Sequence, residues 1–108
     1  MTSQQVQQLL QQAQMYQQQL QHVVVQKEQL KMQVTEIDNA LAELEKTKED
    51  VYKAAGPILI KSSKVDVKKD LSEKKEIIDV RVKTLEKGEE KLKKQFEDLK
   101  EKISKMST

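Results

Sequence analysis

The chain has no cysteine and no tryptophan, one histidine, one proline and two glycines, and its only aromatics are two tyrosines and one phenylalanine. Without cysteine, disulfides and thiolate metal ligands are excluded, and a reducing compartment is permitted. With hydrophobics at 36% and charged residues at 35% of 108 positions, such a chain cannot enclose a sizeable globular core but can bury a stripe. No apolar run approaches a membrane span and no basic segment precedes an apolar one at the N-terminus. No membrane partner and no signal peptide are therefore expected, and a soluble, cytoplasmic protein is the default. A marked excess of one sign of charge is missing too. The 20 basic and 18 acidic residues are interspersed, leaving a net charge of +2, which gives little support for a nucleic-acid partner and suits solvated helix flanks. The first 26 residues carry no charged side chain, and glutamine fills 14 of the first 33 positions.

What is present is a periodicity. Leu9, Tyr16, Val23, Leu30, Ile37, Leu44 and Val51 recur every seven residues, with Val6, Ala13, Leu20, Lys27, Val34, Leu41 and Lys48 as a second row. Further on, Leu71, Ile78, Leu85, Leu92, Leu99 and Met106 form one row, and Lys75, Val82, Glu89, Phe96 and Ile103 another. Both are a/d seams of a coiled coil. If the chain reverses near Pro57, the first rows come level, Leu44 with Leu71 through to Leu9 with Met106. The second rows match one residue out of step, which sets Lys27 against Glu89 as a charge-complementary layer. Glutamine is a good helix former, and the heptad passes through the glutamine tract without a slip, so that tract reads as helix.

Gly56-Pro57 lies between two strand-like runs, Val51–Ala54 and Ile58–Lys61, and predicts a β-hairpin, since glycine allows φ > 0 and proline removes a donor. The spacing predicts one domain over 1–108: a helix over 4–49, a hairpin over 50–62 and a helix over 63–105. Ser63 with Asp66 three residues on resembles a capping box and sets the start of the second helix. Gly88 interrupts that helix at a cost, and its one visible rationale is relief of crowding beside the Lys27/Glu89 layer. The fold class is thus mainly α: a long antiparallel two-helix coiled coil joined by a β-hairpin. A lone hairpin is marginal in water, and this one exposes Val51, Tyr52, Ile58, Leu59 and Ile60, so its strands are expected to pair with neighbouring subunits and close a sheet or an intersubunit β-barrel.

No nucleophile stands with a base, no Gly-rich phosphate loop is present, and no spacing suits a metal. The lone His22 lies off the seam, and carboxylate pairs such as Glu89-Glu90 sit on open helix. No enzyme, no cofactor and no metal site are expected. The unusual part is the first arm, where Leu10, Val24, Val25 and Met32 fall off the seam and should face water. Apolar side chains among uncharged glutamines can grip nonpolar surface without electrostatic repulsion. Near the two chain ends, Val6, Leu9, Leu10, Ala13, Phe96, Leu99, Ile103 and Met106 are the candidates for that task, because helix ends fray and release seam residues.

The run Asp50-Val51-Tyr52-Lys53-Ala54-Ala55-Gly56-Pro57-Ile58-Leu59-Ile60-Lys61, followed by Leu71–Glu76 and Arg81–Lys87, resembles the beta-type subunit of prefoldin, in its archaeal form. Tyr16–Leu20 fits the same pattern, and the single hairpin suits the beta type. Pro57 and Gly88 depart from it locally. The resemblance implies a hexamer with alpha-type prefoldin subunits and other beta-type subunits, hairpins joined in a double barrel. It further implies a chaperone whose coiled-coil tips hold unfolded polypeptides and pass them to a group II chaperonin without ATP. The competing reading is a structural coiled-coil scaffold or tether that binds no client.

Overall fold

The computed structural model describes residues 3–106. Helix α1 (Ser3–Lys46) is followed by strands β1 (Val51–Ala55) and β2 (Ile58–Ser62) and by helix α2 (Lys64–Met106). Every seam position from Val6 to Leu44 on α1 and from Leu71 to Met106 on α2 is buried or half-buried, while nearly all the positions between them are exposed. The heptad therefore does what its spacing dictates: it turns one stripe of each helix inward and leaves the charged or glutamine-bearing faces in water.

The helix ends are closed by side chains as well as backbone. At the start of α2 the Ser63 hydroxyl accepts the Asp66 N–H at 3.1 Å, and the Ser63 carbonyl accepts the Val67 N–H at 3.0 Å. Ser63 is thus the N-cap, and Asp66 adds a negative charge to the first turn, where the helix dipole favours it. Helix α1 stops at Lys46, short of the 49 expected. The Thr47 hydroxyl donates back to the Glu43 carbonyl at 2.8 Å. The Lys64 ammonium donates to the carbonyls of Glu45 and Thr47 at 3.2 and 3.3 Å. Lys64 thus satisfies the Glu45 carbonyl, one that a helix leaves orphaned at its C-terminus, and the Thr47 carbonyl just beyond it, so the chain can leave the helix there without an uncapped end.

The described residues group into two compact units, one made of residues up to Gln29 with those from Lys83 onward, the other of Leu30–Val82. In the second unit Ile37, Ile78 and Val82 form a buried cluster, with Leu30, Val34, Leu41 and Leu71 packed against it. Two ion pairs one heptad apart flank it, Lys75 to Asp38 at 2.7 Å and Lys68 to Glu45 at 2.9 Å. The hairpin belongs to this unit. Its strands pair antiparallel with Ala55 opposite Ile58 and Val51 opposite Ser62, leaving Gly56-Pro57 as a two-residue turn. Gly56 has φ of +60°, and no other residue among those described has positive φ. Proline cannot supply the second positive φ that a type I′ turn needs, so the turn is of the II′ kind with glycine first.

In the first unit Leu99 is buried, and Glu89 is the one buried charged side chain among the described residues. Gly88 stands beside Glu89, but a methyl group built on it meets nothing within 4 Å. Relief of crowding, the rationale the sequence offered for this glycine, therefore fails: the space is open.

Candidate functional site

Two surfaces carry the unusual chemistry, and each lies within one unit. The first is the hairpin. Cross-strand partners share a face, so Val51, Lys53, Ala55, Ile58 and Ile60 lie on one side, and Tyr52, Ala54, Leu59 and Lys61 on the other. The second face is apolar where Ala54 meets Leu59, and the first toward the turn, where Ala55 meets Ile58 beside Ile60. Ile58 and Leu59 are 62% and 68% exposed, Tyr52 and Ile60 are exposed as well, and Val51 is half-buried. Lys53 is tied to Asp70 of α2, and Lys61 to Asp50 at 3.6 Å, which takes up the two strand cations and leaves an uncharged strip of aliphatic side chains. A two-stranded ribbon apolar on both faces, with unpaired backbone at each edge, is a surface built to be covered.

The second surface is the outside of the first unit, where α1 is free of charge up to Gln26. Of the residues singled out there from sequence, Leu10 is openly exposed at 48%, while Val6, Leu9, Ala13, Phe96, Ile103 and Met106 are half-buried in the seam and Leu99 is closed off. Lys100 lies over the Phe96 ring, 5.4 Å from its centre. Val25 faces water as its off-seam position requires, as does Met32 in the second unit, but Val24 is half-buried. Met15, which the sequence reading passed over, is 58% exposed. It lies one residue before the seam residue Tyr16, and its signal was the same off-seam position that marked Leu10. Val65, Ile77 and Val80, in the second unit, are exposed on α2 in the same way, and the same off-seam signal marks them in the sequence.

Shallow grooves run along this unit. One of about 520 Å³ is lined by Gln8, Leu9, Gln12, Met15, Lys102 and Met106 among others. A second, of about 420 Å³, shares Met15 and continues past Gln18 and His22 to Val23 and Leu92. Neither has a carboxylate in its lining. A third, of about 240 Å³, lies between Tyr16 and Leu99 and includes Asp98. The unit's register is fixed farther along by Lys27, whose ammonium is 2.8 Å from Glu89 Oε2, with Lys93 3.0 Å from Oε1. The hydrogen bond from Lys27, then that from Lys93, holds the Glu89 carboxyl below the ordinary carboxylate value. The same bond raises Lys27. Among the described residues there is no cluster of side chains suited to a metal ion, and no helix is long and apolar enough to cross a membrane.

Comparison with known proteins gives a consistent answer. The family described as Prefoldin subunit matches residues 7–108. Proteins named prefoldin subunit beta are 48% identical over 50 residues in Archaeoglobus fulgidus, covering 46% of this chain and 43% of that one. In Methanococcus maripaludis the figure is 48% over 52 residues, covering 48% and 46%. These matches span under half the length of those relatives. Among solved structures, the prefoldin beta subunit from Thermococcus strain KS-1 is similar with a TM-score of 0.88 at 38% identity, covering 94% of this chain and 91% of that one.

Proposed function

Because this chain belongs to the prefoldin subunit family, we propose that it is a beta-type subunit of an ATP-independent chaperone that holds unfolded polypeptides and delivers them to a group II chaperonin. The hairpin is the joint in this reading. Ile58, Leu59, Ile60 and Tyr52 cover one another's counterparts on alpha-type and other beta-type subunits of a hexamer, whose hairpins close into a barrel. The free end of the helix pair is the holding part. Leu10 and Met15, the half-buried Val6, Leu9, Ala13, Phe96, Ile103 and Met106, and Leu99 when the end frays, offer apolar contacts among neutral glutamines. No nucleotide and no metal enters the reading, and an intracellular compartment suits it.

The observation that carries the proposal is the exposure of apolar side chains in the charge-free arm beside grooves without a carboxylate. Such a surface attracts nonpolar segments of any sequence and repels few of them. The experiment is light scattering of a chemically denatured protein diluted into the chain assembled with an alpha-type partner, with native mass spectrometry on the same sample. Suppressed aggregation at near-stoichiometric ratio is the expected result. A stable hetero-oligomer that leaves aggregation unchanged would favour a scaffold or tether instead.

A further inference from the structure

The two larger grooves of the first unit share Met15 in their linings and lie end to end along α1, between them following it from Gln5 to Val23. At a rise of about 1.5 Å per helical residue this is roughly 27 Å, the span of about eight residues of extended chain. Their lining mixes two chemistries. Leu9, Met15, Val23, Leu92 and Met106 supply nonpolar surface, and glutamine carboxamides edge it. Of these, Gln8, Gln11 and Gln12 have no hydrogen-bond partner among the described residues. Lys102 is the only residue of the two linings that is charged at neutral pH, and no ion-pair partner for it lies among the described residues.

Resting on the holding function proposed above, the geometry points to a defined class of client segment: about eight extended residues, apolar with uncharged or acidic side chains, and not basic. An extended segment presents unpaired N–H and C=O groups along its length, and a carboxamide is both donor and acceptor, so glutamines spaced along a helix can pair them whatever the side chains. Nonpolar side chains of the segment then rest on Leu9 and Met15. A carboxylate in the segment meets Lys102, whereas a lysine or arginine meets the same charge and finds no anion in the lining. Met15 lines both grooves and can adapt to either kind of neighbour.

The test is a nuclear magnetic resonance titration of the full chain with three octapeptides of alternating valine and serine, carrying serine, aspartate or lysine at the centre, read on glutamine side-chain amides. Shifts are expected at Gln8, Gln11 and Gln12, with the lysine peptide roughly two- to fivefold weaker than the aspartate one, the range for an exposed charge pair. Lys102→Glu should invert that order. Backbone N-methylation of the serine peptide should weaken it roughly three- to tenfold, as expected for a lost hydrogen bond, and this loss should vanish in Gln8→Ala/Gln11→Ala/Gln12→Ala, whose alanines keep the helix. Equal binding of the aspartate and lysine peptides, or indifference to N-methylation, would overturn the proposal. Shifts that grow with chain concentration alone would also overturn it, since the occupant would then be a second copy. Aggregation of a denatured client is followed on the same preparation, assembled with an alpha-type partner. If the client is protected while the peptides are not discriminated, the segment preference falls and the holding function stands.

Discussion

At the scale of single residues, the pair Lys27 and Glu89 is a charged layer inside an apolar stripe, and its worth lies in alignment. A slip of one heptad would set each charge against a nonpolar layer, where an unpaired charge is costly to desolvate. The heptad rows set these two residues level, and they are 2.8 Å apart. The pH dependence has a definite sign. Glu89 is held below its ordinary value of 4.5, so its contribution to stability is fully present above 4.5 and is lost as pH falls through the lower folded value. Lys27 is raised above 10.5, so its contribution is fully present below 10.5 and is lost as pH climbs through the higher folded value. Glu89→Gln is accordingly expected to lower the thermal midpoint at neutral pH and to flatten the fall on acidification below 4.5, as followed by circular dichroism. Glu45, held low by Lys68, supplies part of the fall that remains. Parallel curves for the two proteins would show that the pair does not contribute.

At the scale of elements, two glycines make opposite predictions. Gly88→Ala meets open space in a helix and should stabilise the chain by about 1 kcal/mol in a denaturant titration. Gly56→Ala must adopt φ of +60° and should cost about 1–2 kcal/mol. The hairpin gives a third outcome. Ile58→Asp with Ile60→Asp, both on one face of the ribbon, should leave helical content intact while the assembled oligomer is lost, measured by circular dichroism beside light scattering. A full-size oligomer from the double variant would mean that the hairpin is not the joint. Elements were the most legible part of the sequence, because a seven-residue repeat, a Gly-Pro turn and a Ser63 cap are local signals. Less legible were the end of α1, where the distant Lys64 donates to the Glu45 and Thr47 carbonyls, and the openness around Gly88, which depends on how far apart side chains lie in space.

At the scale of the whole molecule, the proposed function rests on a division of labour: a ribbon that needs covering and an end whose α1 side carries no charge. The sequence showed the absence of charge and the off-seam Leu10, but not the grooves or the exposure of Met15, since these depend on side-chain shape at the surface. The cross-helix ion pair of Lys75 with Asp38 was not legible for a related reason, as Lys75 stands on the seam but Asp38 lies beside it. Each fully buried aliphatic side chain contributes roughly 1.5–3 kcal/mol, so several partial contacts on each of several subunits can hold a client that no one subunit retains. The most direct measurement removes residues 1–10 and 99–108 together, confirms the oligomer by native mass spectrometry, and follows aggregation of a denatured client by light scattering at fixed oligomer concentration. The doubly truncated oligomer is expected to persist and to lose protection; an oligomer that protects the client as well as the intact one would contradict holding at the free end of the helix pair.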